Sequence, residues 1–273
     1  MLEYMLRNTP RLAEKPVPFG VFHLVSLGIF LALFVLMLLF RKHLPRGERA
    51  LRISLVIFGV GLLLLEIGKQ IVYSFDPVTG WAYHWDRFPF QFCSVPIYVA
   101  LVAMLLSKGK LRSALVAFLA TYSPVAGASV LCYPSSTVFS EIIFLNIHTM
   151  LWHGAMLLYG LYLWLSESVT PHLRTAGEAA LVYAPLNFIA LGLNEASYAF
   201  GFARGYDFNM FYTGRMGRCL IPVLSDIQRQ CPYPVFFLSY LLTLGMGGLL
   251  VTLCMMLIRW IAQRRRLIYE TKK

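Results

Sequence analysis

Apolar positions in this chain come in long runs separated by short polar stretches. A hydrocarbon core ~30 Å thick takes about 20 residues of helix at 1.5 Å per residue. Seven runs approach or exceed that length: 19–40, 53–75, 88–106, 111–132, 139–165, 179–200 and 234–258. The sixth is the least apolar, because Asn187, Asn194 and Glu195 interrupt it. No internal repeat and no low-complexity segment breaks the pattern. It predicts an all-α polytopic transmembrane helix bundle of about seven helices, forming a single transmembrane domain over 1–273. One sizeable non-spanning loop falls at 201–233 and a basic tail at 259–273.

Composition agrees. Hydrophobic residues make up 58% and charged residues 14%, against about 25% charged in an average soluble domain. A net charge of +11 would suit a nucleic-acid surface, but the basic residues lie between the apolar runs and not on one face, so nucleic acid is not an expected partner. The first run lacks an A-x-A-like cleavage site and exceeds a signal-peptide core, so it is expected to remain. Arg41, Lys42, Arg46, Arg49 and Arg52 follow it, whereas only Arg7, Arg11 and Lys15 precede it. The positive-inside rule then puts the N-terminus outside and the C-terminus inside, in a multi-pass protein of the cell membrane. The tail RWIAQRRRL places Trp260 at an interface beside a basic cluster. It reads as a stop-transfer anchor with anionic-lipid contact, or as a regulatory segment. The five cysteines form no CxxC pair, so neither a metal nor another cofactor is expected. Cys219 and Cys231 share the outer loop, where a disulfide is an open alternative.

Ionisable groups inside spanning helices are costly and point to function. Glu66 and Lys69 lie one turn apart in the second run and can pair, structurally or functionally. With helices alternating across the membrane, Glu66, Lys69, Asn194, Glu195, Cys93, His148 and His153 fall in one layer of the outer half. Separate helix–helix hydrogen bonds would explain each singly. A shared layer fits a pocket opening outward. A cysteine near a histidine suggests nucleophilic acyl transfer, in which the imidazole takes the thiol proton and amide donors hold the oxyanion. The plainer alternatives are a packing cysteine and hydrogen-bonded core histidines. His148 and His153 are about 140° apart around a helix, so one of them is expected to face the pocket, and depth alone favours His148. Ser123-Pro124 predicts a kink in the fourth helix. Gly127, Ala128 and Ser129, and the glycines at 245, 247 and 248, read as packing positions. The loop arginines suit lipid phosphate or solvent equally.

Several of these segments resemble the YwaF family of bacterial integral membrane proteins, which is similar to the eukaryotic transmembrane protein 164 acyltransferases. FPFQFCSVP looks like that family's Leu-Pro-Leu-His-Leu-Cys entry and puts Cys93 on the family cysteine. TMLWHGAMLLYGLY is similar to its aromatic-x-His-Gly run and puts His153 on the family histidine. LGLNEASYAF, GYDFNMF and CPYPVFF resemble its sixth helix, its Gly-x-Asn-aromatic loop and its last helix entry, which puts Asn194 and Asn209 on matching positions. Two departures stand out. Gln91 replaces a frequent His, and Asn209 is followed by Met210, with no Lys-Pro step after it. The resemblance implies Cys-His acyl transfer on membrane phospholipid through a thioester at Cys93, with Asn194 assisting and His153 preferred over His148.

Three function classes are compatible with the chain: a phospholipid acyltransferase or hydrolase, a transporter or channel using Glu66, Lys69, Glu195 and the histidines, and a non-enzymatic scaffold. The charge asymmetry makes a direct topology prediction. A reporter fused at Lys273 should read as cytoplasmic and a label near Asn8 should react from outside. An external tail would invert the assignment.

Overall fold

The apolar runs fold as helices. The computed structural model describes residues 1–134 and 138–270, without the side chains of 265–270. The basic-tail expectation at Lys272, Lys273 and the side chains of Arg265 and Arg266 lies outside the described residues. Among these there are nine α-helices: α1 (Leu2–Arg7), α2 (Val21–Leu39), α3 (Gly47–Tyr73), α4 (Val95–Leu105), α5 (Lys110–Cys132), α6 (Ile143–Leu165), α7 (Leu173–Phe200), α8 (Leu224–Gln230) and α9 (Tyr233–Glu270). A two-stranded antiparallel hairpin, β1 (Phe75–Asp76) with β2 (Gly80–Trp81), follows α3. Its turn is closed by Asp76 Oδ1, which accepts from the Thr79 and Val78 amides at 2.8 Å. Those bonds hold the Asp76 carboxyl below the usual carboxylate range.

Among the described residues, five helices are long and apolar enough to cross a membrane: α2, α3, α5, α7 and the Tyr233–Arg264 part of α9. At 23 residues α6 is long enough, but Asn146, His148, Thr149 and His153 dilute its apolar character. The largest difference from expectation is α4, which has 11 residues and spans only about 16 Å. Residues 88–94 were expected to be helical; instead they form turns. Pro89 offers no N–H, short bonds such as Ser94 N–H to Gln91 O replace the helical ladder, and Pro96 is accommodated in the first helical turn. Cys93 therefore precedes the helix that was expected to contain it. Other ends move outward from the apolar core. Helix α3 begins at Gly47, α7 begins at Leu173 behind His172, whose Nδ1 accepts from the Arg174 amide at 3.1 Å, and α9 continues past 258 through the charged tail.

Helix α5 is the axis of the bundle. It packs against α4, α6, α7 and α9, and residues 114–124 are buried without interruption. Pro124 lies inside α5 without ending it. Its missing N–H frees the carbonyl of Ala120, four residues earlier, and Trp164 Nε1–H of α6 donates to that oxygen at 2.7 Å. The Pro124 ring lies where Gly160 has no side chain: a Cβ on Gly160 would stand 2.5 Å from Pro124 Cδ. About two turns of α6 away, a Cβ on Gly127 would stand 2.4 Å from the carbonyl oxygen of His153. Gly127, read as a packing position, and Gly160, which the sequence did not single out, thus set the α5–α6 approach.

Two glycine substitutions separate helix propensity from this contact. Gly127→Ala should destabilise the bundle by about 1–3 kcal/mol, because backbone must move. Gly192→Ala on α7, with nothing within 4 Å, should be neutral or gain about 0.5–1 kcal/mol. Thermal unfolding in detergent reads both, and equal effects would remove Gly127 as a contact point.

Candidate functional site

Helices α3 and α6 and the turn before α4 enclose a cavity of about 170 Å³. Lys69 reaches it from α3, Cys93 from the turn, His148 and His153 from α6, and Tyr212 from the α7–α8 loop. Four of the residues singled out in the sequence thus line one space. Both histidines face it, although the helical angle between them had suggested that one would point away. Thr149 and Trp152 lie between them on the same wall.

The imidazole hydrogen bonds define the chemistry available. His153 Nδ1 stands 2.7 Å from the Thr149 carbonyl oxygen. A carbonyl can only accept, so the proton sits on Nδ1 and the Nε2 lone pair is free. That Nε2 is buried and has no partner, and the same holds for His148 Nε2. A third buried histidine, His23, shows the contrast. Its Nδ1 accepts from Phe19 N–H at 2.9 Å and its Nε2–H donates to Leu131 O at 2.8 Å, so both nitrogens are occupied. Buried polar atoms are nearly always paired, so each exception calls for a specific explanation, a catalytic role among them. Trp152 stacks on His148, with ring centroids 5.1 Å apart, and its Nε1–H donates to the Cys93 carbonyl at 2.9 Å. One side chain thereby ties the cysteine-bearing turn to the histidine helix.

Glu66 and Lys69 form the pair that their spacing allows, with Nζ 2.7 Å from Oε1. Gln70 Nε2–H donates to the same Glu66 oxygen at 2.7 Å and to the Arg87 carbonyl at 2.6 Å. Glu66 Oε2 is buried without a partner. Lys69 lines the cavity and Glu66 holds it from behind.

Asn194 and Asn209 stand apart from the cavity lining. The Asn194 amide spans Met210: its Oδ1 accepts from Met210 N–H at 2.7 Å and its Nδ2–H donates to Met210 O at 2.9 Å. Those bonds occupy the amide that was expected to orient the imidazole or meet an oxyanion. Asn209 Oδ1 accepts from Gly214 N–H and its Nδ2–H donates to Arg218 O. Gln91, the departure from the family histidine, clamps the same loop from the other side. It donates to Asn209 O at 2.9 Å and accepts from Phe211 N–H at 3.0 Å. Together these amides hold Phe211 and Tyr212 at φ values of 56° and 58°, a left-handed conformation rare for bulky residues. Tyr212 is presented to the cavity as a result. Glu195 is also away from the cavity, bridged to Arg215 at 3.3 Å on the exposed face of the loop. Cys219 and Cys231 are both free thiols.

Sequence reasoning missed Trp152, Thr149, Tyr212 and Arg87 as cavity residues. The signal for Trp152 was present, since it lies four residues after His148 and shares its helix face. Nothing local announced Tyr212, which long-range bonds put in place.

With this geometry in view, the comparison with known proteins defines the class: the chain is a multi-pass helical membrane protein. It belongs to the TMEM164 family, which it matches over residues 18–258. No curated protein and no solved structure matches it.

The buried pair yields a double-mutant test. Lys69→Met or Glu66→Gln alone should destabilise by about 3–5 kcal/mol, because one charge is stranded, and the double variant should recover part of that loss. Thermal unfolding of the three purified variants reads it, and additive losses would show that the two groups do not interact.

Proposed function

We propose that this protein is a membrane acyltransferase or lipid hydrolase that transfers phospholipid acyl groups through a thioester at Cys93, with His153 as general base. The observation that carries the reading is the free, buried Nε2 of His153 in the cavity that Cys93 also lines. His153 Nε2 takes the Cys93 thiol proton, and the thiolate attacks the ester carbonyl of a phospholipid. The carbonyl oxygen becomes an oxyanion, which the Lys69 ammonium in the same cavity is suited to stabilise. Collapse breaks the ester C–O bond and the departing alkoxide takes the proton from His153. A lysolipid hydroxyl or water then attacks the thioester by the same route in reverse, returning the thiol. His148 is the second candidate for the base. Asn194, Asn209 and Gln91 act as positioning residues that hold Tyr212 against the cavity.

A neighbouring apolar cleft of about 550 Å³ supports an acyl substrate. It runs between α2, α3 and α6, lined by Met37, Ile57, Leu62, Leu65 and Leu158. Leu65 of the cleft lies one turn before Lys69 of the cavity on α3, and Ala155 lies two turns after His148 on α6, so the cleft and the cavity share a face of each of these two helices. From Ser54 to Leu65 it extends about 17 Å along α3, enough for much of a fatty acyl chain.

The same reading takes seven spans in the cell membrane, with the cavity end outside and the C-terminus inside. Besides the five long apolar helices it counts α6 and α4, the latter with its lead-in 88–94. Irregular backbone at membrane depth is tolerated where it lines a cavity, and Gln91 and Cys93 do so. The likeness to YwaF proteins and anionic-lipid contact of the tail, where Arg264 stacks on Trp260 at 4.5 Å, belong to this proposal.

Purified protein in phospholipid nanodiscs should carry a hydroxylamine-labile acyl group on Cys93, read by mass spectrometry. Cys93→Ser should abolish the labile adduct with folding retained. His153→Gln should slow acylation by about 10²–10⁴-fold, and His148→Gln by much less. A wild-type protein that never acylates, or one whose adduct survives Cys93→Ser, would sink the mechanism.

A further inference from the structure

The chemistry above leaves the other end of α3 unused. Glu48 stands there, about 31 Å from Lys69 along the helix, facing the α4–α5 and α6–α7 connections. These elements enclose a cavity of about 400 Å³ whose wall includes Glu48, Lys108, Gly109, Arg112, Ser113 and Ser168. Arg112 is the unusual member, with only 4% of its side chain exposed. Its Nη1 bonds Glu48 Oε1 at 2.5 Å, but Nε and Nη2 are buried with no partner. Those two atoms form one edge of the guanidinium fork, the edge that grips two oxygens of a phosphate side by side. Leaving charged donors buried and unfilled is costly.

The surroundings favour an anion. Glu48 is the carboxylate in direct contact, and it is flanked by Arg52 at 2.8 Å and Lys108 at 3.7 Å as well as Arg112. Three cations around one carboxylate leave a positive surplus. Glu178, also at the wall, is matched by Arg174 at 2.8 Å. The first turn of α5 opens here with no side-chain cap on Gly109, so its amides and the positive end of a 23-residue helix add to the attraction. Ser113, which also lines the cavity, is exposed.

We infer that this cavity binds a phosphate-bearing anion, either a phospholipid head group from the adjacent leaflet or free phosphate, through the open Nε/Nη2 edge of Arg112. The assignment does not depend on the Cys93 mechanism, since it uses none of those residues.

The test uses the full chain in neutral detergent, titrated with dioctanoyl phosphatidic acid, inorganic phosphate and, as a phosphate-free control, dioctanoylglycerol. Binding is read by native mass spectrometry and calorimetry. The phosphate probe should bind and dioctanoylglycerol should not. Because Arg112 is buried, the exposed variant Ser113→Asp carries the decision: a carboxylate on the cavity wall should weaken binding at least about tenfold, and Lys108→Gln should weaken it in the same direction. Arg112→Gln should abolish binding if it folds. Variant-sensitive binding of inorganic phosphate identifies the free anion, and such binding of the phosphatidic acid alone identifies the head group. Failure of every phosphate probe to bind, or binding that Ser113→Asp leaves unchanged, overturns the assignment.

Discussion

Helix α6 can seat on α5 because Gly127 presents no side chain to it. The His153 carbonyl occupies the place where a Cβ would be, at 2.4 Å, so the contact is backbone against backbone and cannot be relieved by a rotamer change. Pro124 against Gly160, and Trp164 on the carbonyl that the proline freed, repeat the constraint farther along. The position of His153 in the cavity follows from this seating. Interiors are close-packed, so a small rise in helix separation there would move both histidines away from the turn bearing Cys93.

On that frame the cavity is assembled from parts that are individually irregular. The turn before α4 is not helical, the 210–212 turn holds two aromatic residues in left-handed conformation, and two imidazole nitrogens are buried without partners. Each feature costs free energy in isolation. The two irregular turns are stabilised by polar side chains that belong to other elements, Trp152 for the cysteine turn and Gln91 and Asn194 for the loop, while the His153 ring is held by the Thr149 backbone carbonyl of its own helix. Gln91 shows how one side chain can fix a distant loop. With one donor and one acceptor on a flat amide it bridges two backbone groups of the loop at once.

Helix α3 carries polar anchors at both ends. Glu66 holds Lys69 at the cavity end, and Glu48 gathers Arg52, Lys108 and Arg112 at the other. Between them the buried stripe is apolar, through Leu55, Phe58 and Leu62.

The sequence by itself determined that the chain is helical and membrane-embedded, since unbroken apolar runs of this length fix both through backbone satisfaction and lipid partitioning. It also made Glu66 and Lys69 legible as a pair, because i,i+3 contact is local geometry. Motif likeness drew attention to Cys93, His153, Asn194 and Asn209 together. Only the tertiary structure decided where they go. It grouped Cys93 with both histidines, turned Asn194 and Asn209 to the loop, brought in Tyr212 and Trp152, and left Glu195 outside. It also cut the third apolar run to a short helix and left two of Arg112's three guanidinium nitrogens without a partner. Hydropathy reports how a residue partitions between water and lipid and says nothing about its partner across helices. Those partners are set by side-chain packing and by hydrogen bonds between residues as far apart as Gln91 and Phe211, which exist only once the helices have docked.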